Sequence, residues 1–188
     1  AARMAMGLGA EVVVLERSIP RMRQIDEVTG GRVITRYSSL HAIEDELPKA
    51  DVVIGAVLTP GAEAPTLVRR DQLASMKKGS VLIDVAIDQG GCFETSRPTT
   101  HDQPTYVVDD VIHYCVGNMP GAVPRTSSEA LNNATLPFGL ALADRGLEAL
   151  RADPHLAKGL NVLKGEITHP AVAQALGMDW RDPFGVWA

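Results

Sequence analysis

Runs of Val and Ile with little polar alternation recur along this chain, each separated from the next by a segment of helical or turn character. This pattern constrains the fold more than any other feature. A strand wetted on one face alternates apolar and polar residues, whereas a strand covered on both faces is apolar throughout. The runs lie at 12–15, 32–35 (weaker), 51–58 (DVVIGAVL), 80–87 (SVLIDVAI), 106–108 and 113–116. Between them, residues 18–28, 41–47 and 66–76 have helical spacing. Such β–α alternation predicts an α/β chain built on a doubly wound parallel sheet.

The character changes after Pro120. Residues 127–150 form one long helical pattern rich in Ala and Leu, with Pro137 expected to kink it. Shorter helical stretches follow at 154–160 and 170–176, and the tail 181–188, with Pro183 and Gly185, is expected to be loose. The reading divides the chain at 1–124 and 125–188, the second part resembling a helical segment that packs onto something else. At the other end, residues 1–9 read as a helix already under way, with no capping side chain in front of it. The expectation is that the native chain continues upstream.

A formal net charge of −5 leaves no basic excess to hold phosphate backbones, which argues against nucleic acid as a partner. No apolar run approaches the roughly 18 residues of a membrane helix, and no signal pattern opens the chain. Two cysteines, Cys92 and Cys115, make no disulfide framework, so a cytoplasmic setting is expected. His113 and Cys115 share a strand face, but with His101 and Cys92 they match no zinc spacing, and no metal is expected.

Glu16 ends the first run. In a dinucleotide-binding βαβ unit an acidic residue at the end of the second strand bonds the adenosine ribose, about 20 residues after a Gly-rich turn. Counting back places that turn just before residue 1, so the domain reads as Rossmann-like without its first strand and Gly-rich loop. A carboxylate here also repels a 2′-phosphate, favouring NAD over NADP. The alternative is a surface glutamate at a strand end. Asp88, in the sequence Ile87-Asp88-Gln89-Gly90-Gly91, falls at the carboxyl end of the fourth run, where open α/β sheets bind ligands. Its glycines permit close backbone approach, although a turn aspartate before Gly-Gly reads the same way. Asp84, inside the run, reads as a structural carboxylate with its partners supplied. The segment from Val116 to Pro120 offers a backbone N–H or the Asn118 amide to a carboxamide-bearing ring, or is an ordinary turn. Arg97 is either an anion clamp or a solvated loop arginine.

Three long blocks resemble the alanine dehydrogenase family: DVVIGAVLTPGAEAPTLV from Asp51, VLIDVAIDQGGCFETSRPTTH from Val81, and HYCVGNMPGAVPRTSSEALNNATLP from His113. The likeness covers nearly the whole chain and fades after about Gly177. It implies reversible oxidative deamination of L-alanine to pyruvate and ammonia with NAD, and a homo-oligomer, commonly a hexamer. It implies a second catalytic acid/base at Asp88. The implied cofactor positions are Glu16, Arg21 and Ser38 around the adenosine, then Val57, Leu58, Val85, Ala86, Ile87, Asp88, Arg97, Val116, Gly117, Asn118 and Met119. The family's acid/base His and its substrate-binding Arg and Lys lie in an N-terminal domain, and no position here matches them. The isolated chain is therefore expected to be inactive. Glu16 stands where the family often has Asp, and Gly117 where Ala is common. The family's helical C-terminal segment returns to the substrate domain. Competing readings are the NAD-binding subunit of a proton-translocating transhydrogenase and a non-catalytic fragment that binds nucleotide weakly or packs in an oligomer.

Overall fold

The structure is a computed structural model; residues 1–59 and 63–187 are described, the last without its side chain. Pro60, Gly61 and Ala62, which fall within the first resemblance block, and Ala188 in the tail lie outside the described residues. The elements run α1 (Ala2–Gly7), β1 (Val12–Glu16), α2 (Ile19–Thr29), β2 (Val33–Tyr37), α3 (Leu40–Glu46), β3 (Val52–Gly55), β4 (Val81–Asp84), β5 (Thr105–Val108) and β6 (Val111–Tyr114). The long helix α4 (Pro124–Arg145) follows, then α5 (Glu148–Ala152), α6 (Pro154–Ala157), β7 (Val162–Leu163), β8 (Glu166–Ile167), α7 (Pro170–Leu176) and α8 (Pro183–Trp187).

The strands form one parallel pair, β1 with β2, and a separate four-stranded sheet ordered β3-β4-β6-β5. Within each sheet the parallel neighbours, β2 beside β1 and β3 beside β4 beside β6, are those of strands 3-2 and 4-5-6 in a doubly wound fold. In the larger sheet β3, β4 and β6 are parallel, and Gly55 pairs with Asp84. β5 is antiparallel to β6, a departure from the all-parallel expectation. Its link to β6 is only Asp109-Asp110, both at positive φ. A turn that short returns the chain antiparallel, whereas a parallel return needs a crossover of a dozen residues or more.

The core lies around the four-stranded sheet, where Leu47, Val68, Leu73, Met76, Leu82, Ala86, Cys92, Phe93 and Val111 cluster. Burial alternates along β4 and β6, and Val52 and Ile54 of β3 stay exposed. Among the described residues these strands are therefore tightly covered on one face only, although their sequence is apolar on both.

Four expected elements differ for local reasons. The run 80–87 stops as a strand at Asp84, because that side chain accepts the Ala86 N–H and winds residues Val85–Gln89 into a 3-10 turn. The expected helix 66–76 shrinks to a 3-10 turn, Arg70–Ser75. Its first residues are held extended by N–H bonds from Leu67 to Cys92 O (2.7 Å) and from Glu94 to Val68 O (2.9 Å). The helical pattern 127–150 continues through Pro137 but divides at Gly146, whose φ of +55° ends α4. The tail is not loose throughout: Asp182 Oδ1 accepts the Phe184 N–H at 3.0 Å and starts α8. The β7–β8 hairpin, turning at Lys164-Gly165 with both residues at positive φ, was not apparent from the sequence. α4 has no buried residue.

Candidate active site at the carboxyl ends of the strands

One cluster of expected site residues forms where β1 and β2 end. Glu16 closes β1, and its Oε1 accepts the backbone N–H groups of Arg17 (2.7 Å) and Ser18 (2.9 Å) at the entry to α2. Two converging donors fix the orientation of the carboxylate. Ser18 is the N-cap of α2, its Oγ accepting from Arg21 N at 3.4 Å. Arg21, on the first turn, is exposed and donates to Gln24 Oε1. Ser38 leaves β2 beside them, its N–H donated to the Glu16 carbonyl at 3.0 Å.

The second cluster forms where β3, β4 and β6 end. Ala86 and Ile87 are buried and anchor the 3-10 turn, while Val85 and Asp88 of the same turn are exposed. Asp88 is thus presented from a pinned turn four residues beyond the strand, and not from the strand itself. Gly117 lies against it: a Cβ at Gly117 would stand 3.4 Å from Asp88 Oδ1. Val116, fully buried, bridges to Thr99. Asn118 is left-handed at φ +53°, and its carbonyl accepts from His101 Nε2 at 3.1 Å. A carbonyl only accepts, so that nitrogen carries the hydrogen. Met119 opens the 3-10 turn Met119–Ala122. Val57 and Leu58 leave β3, Val57 packing on the core and Leu58 exposed. Arg97 lies over the Tyr106 ring, its guanidinium carbon 4.0 Å from the ring centroid and its backbone N–H donated to the phenol oxygen at 2.9 Å.

The structure therefore brings Glu16, Arg21 and Ser38 to one corner, and Asp88, Gly117 and Asn118 to another, on two different sheets.

Beneath the second cluster lies a buried polar layer that the sequence only partly signalled. Asp84 is fully buried and accepts from Ala86 N, Cys92 N and Ser96 Oγ, with the Cys92 thiol at 3.4 Å. Its place after Val-Leu-Ile had already demanded partners. His113, also fully buried, has Nδ1 3.0 Å from the Val111 carbonyl and Nε2 2.7 Å from Thr95 Oγ1. The carbonyl requires the hydrogen on Nδ1, so Nε2 accepts from the threonine. Burial pulls this imidazole below the ordinary histidine range. Tyr106 stacks on His113 with centroids 5.0 Å apart, and nothing in the sequence marked it as the support of Arg97. Burial, then a hydrogen bond with the Cys115 thiol, pushes the Tyr106 phenol up, so it remains a donor. Burial, then the nearby Asp84 carboxylate, pushes the Cys92 thiol up, which removes it as a nucleophile. Among the described residues no group of three or more His, Cys, Asp or Glu side chains is placed to hold a metal ion, and no helix is long and apolar enough to cross a membrane.

A family profile described as alanine dehydrogenase/PNT, C-terminal domain, matches residues 1–170. Alanine dehydrogenase of Halomonas elongata is 61% identical over 181 residues, 96% of this chain and 49% of the relative. Alanine dehydrogenase of Mycobacterium tuberculosis is 53% identical over 189 residues, 100% of this chain and 51% of the relative. A solved structure named L-alanine dehydrogenase superposes at a TM-score of 0.82 and 51% identity, covering 94% of this chain and 49% of that one. A transhydrogenase from Sinorhizobium meliloti superposes at 0.67 and 25% identity, covering 89% and 45%. The chain spans about half the length of the curated relatives it matches.

Proposed function

Since the chain belongs to the alanine dehydrogenase/PNT C-terminal domain family, we propose that it is the dinucleotide-binding part of an NAD-dependent alanine dehydrogenase, which interconverts L-alanine with pyruvate and ammonia. The observation that carries this reading is the exposed Asp88, presented by a turn anchored on buried Ala86 and Ile87, with Gly117 beside it. The identities of 61% and 53% to alanine dehydrogenases, against 25% to the transhydrogenase, favour alanine over a second nucleotide as the hydride partner.

The residues present fit NAD. A carboxylate held by two backbone N–H groups suits a pair of ribose hydroxyls and repels a 2′-phosphate. At the other cluster Gly117 lies beside Asp88, where even a Cβ would stand in ordinary contact at 3.4 Å, and Gln89 Oε1 is buried without a hydrogen-bond partner among the described residues. NAD, when bound, supplies the hydride acceptor. Asp88 contributes proton handling: its carboxylate, open to the site, takes or returns a proton as water adds to the imine and ammonia leaves. Gly117 and Asn118 shape the floor beside it, and Arg97 offers a fixed cation at the rim.

We read residues 1–124 as the cofactor-binding domain and 125–188 as the segment that returns to the substrate domain, consistent with an α4 that buries none of its residues here. A homohexameric assembly and a cytoplasmic setting belong to the same reading.

The test is Asp88→Asn in a full-length alanine dehydrogenase carrying this sequence. Turnover is expected to fall by about 10²- to 10⁴-fold, with NADH affinity by fluorescence titration held within about threefold. Unchanged turnover removes Asp88 from the chemistry. The isolated 188 residues are expected to form no NADH from alanine and NAD, and NADH appearing would show that the chain alone suffices.

A further inference from the structure

We propose that Asp84 is a positioning residue of this site, a single buried carboxylate that holds the Asp88 turn and the Ser96–Arg97 arm in register. The inference rests on the dehydrogenase reading above and extends it to a residue outside the site's surface.

Asp84 is fully buried, so it acts only through the groups it binds. Its two oxygens face two segments. Oδ1 accepts the Ala86 N–H at 3.0 Å, which caps the 3-10 turn bearing Asp88, and the Cys92 thiol at 3.4 Å. Oδ2 accepts the Cys92 N–H at 2.8 Å and the Ser96 hydroxyl at 2.5 Å. Ser96 directly precedes Arg97 and has the Cys115 thiol 3.8 Å behind it. Arg97 in turn lies on Tyr106 and donates its N–H to that phenol. The loop between the two segments wraps the carboxylate closely. Gly91, at φ +85°, passes where a Cβ would stand 3.0 Å from Asp84 Oδ2 and 2.9 Å from the Ser96 side chain.

A backbone N–H reaches each oxygen, Ala86 at Oδ1 and Cys92 at Oδ2, and because an N–H can only donate, both oxygens must accept. An asparagine there keeps one oxygen and sets an amide N–H against a backbone N–H at the other, while the Ser96 hydroxyl or Cys92 thiol beside it can turn and accept. Whichever way the amide turns, one backbone N–H, of Ala86 or of Cys92, loses its acceptor. Displacement of a reacting group by about 1 Å costs on the order of 10²-fold in rate, so the effect belongs in turnover and cofactor binding as well as in stability.

The experiment uses a full-length alanine dehydrogenase carrying this sequence, with Asp84→Asn and Ser96→Ala compared with the unaltered enzyme in kcat, in KM for alanine and for NAD, and in melting temperature. Asp84→Asn is expected to lower kcat by about 10- to 100-fold with KM for alanine within about threefold. Ser96→Ala cuts only the tether to the Arg97 arm. It is expected to raise KM for NAD by about three- to tenfold while kcat falls less than about threefold. That division between the two variants is what a purely structural carboxylate does not produce. If both variants change the melting temperature alone, or both change kcat and KM in the same proportion, the proposal is overturned. If Asp84→Asn does not fold, Ser96→Ala decides by itself, since an unaltered KM for NAD overturns the link to Arg97. An unaltered enzyme that does not oxidise alanine removes the dehydrogenase reading and this inference with it. An active enzyme with indifferent variants removes the inference alone.

Discussion

The two sheets carry the two ends of the proposed cofactor site, yet they are packed to different depths. In the four-stranded sheet Leu82, Asp84 and His113 have no exposed surface, and Val111 has nearly none. In the parallel pair every residue of β1 is only half-buried, and Val33 is the one buried residue of β2. The sequences do not explain this, because Val-Val-Val-Leu in β1 is as apolar as Val-Leu-Ile in β4. Burial is set by neighbours, and β1 pairs with β2 alone whereas β4 lies between β3 and β6. The site residues follow suit. Glu16 is oriented by backbone groups one and two residues away, while Asp88 is held by a turn that is anchored through residues up to 12 positions distant.

The contrast is broken or sharpened most strongly by truncating one strand residue in each sheet. Leu82→Ala, at a fully buried position, is expected to cost about 2–5 kcal/mol. Val13→Ala in half-buried β1 is expected to cost less than about 1 kcal/mol. Urea unfolding of the 188-residue chain measures both, and equal losses would mean that the two sheets are equally packed.

A smaller effect depends on pH. Burial depresses the His113 pKa in the folded chain. The unfolded chain takes up a proton from about pH 6.5 downward while the folded one still refuses it, so stability falls as pH drops below that value. The slope is at most about 1.4 kcal/mol per pH unit and levels off once the pH lies below the folded value. Well above pH 6.5 the titration of this residue adds nothing to the slope. Unfolding midpoints between pH 7.5 and 5, measured for the chain and for His113→Gln, should show the acid-side slope reduced in the variant; identical slopes would place the pH dependence elsewhere. The smallest effect is in the sparse half. Ser18→Ala removes an N-cap whose bond is long, at 3.4 Å, and should cost about 0.5–1 kcal/mol. A loss above about 2 kcal/mol in the same urea assay would show the β1–α2 corner to be held by more than this one long cap bond.

Much of the strand framework was legible because uninterrupted Val/Ile runs leave few alternatives. What escaped was decided by contacts far apart in sequence. The residues before Arg70 have helical spacing, but their backbone groups bond to the 89–94 loop. The strand through Asp84 continues in pattern, but the carboxylate finds a donor two residues on and bends the chain into the turn that presents Asp88. Glu16 and Asp88 could be singled out from local motifs, and Gly117 only through the family resemblance. Tyr106 beneath Arg97 could not, since the stacking depends on a hairpin whose Asp-Asp turn lacks the usual Gly signal.

Gly55 ends β3 with no side chain, and a Cβ there would lie 2.2 Å from Cys92 Sγ and 2.7 Å from the Phe93 ring. That seal gives the molecule a built-in gauge of its own opening. Both thiols lie wholly inside the dense half, so an alkylating reagent modifies them only as fast as that half comes apart, and counting labelled cysteines by mass over time would clock its opening without any added probe.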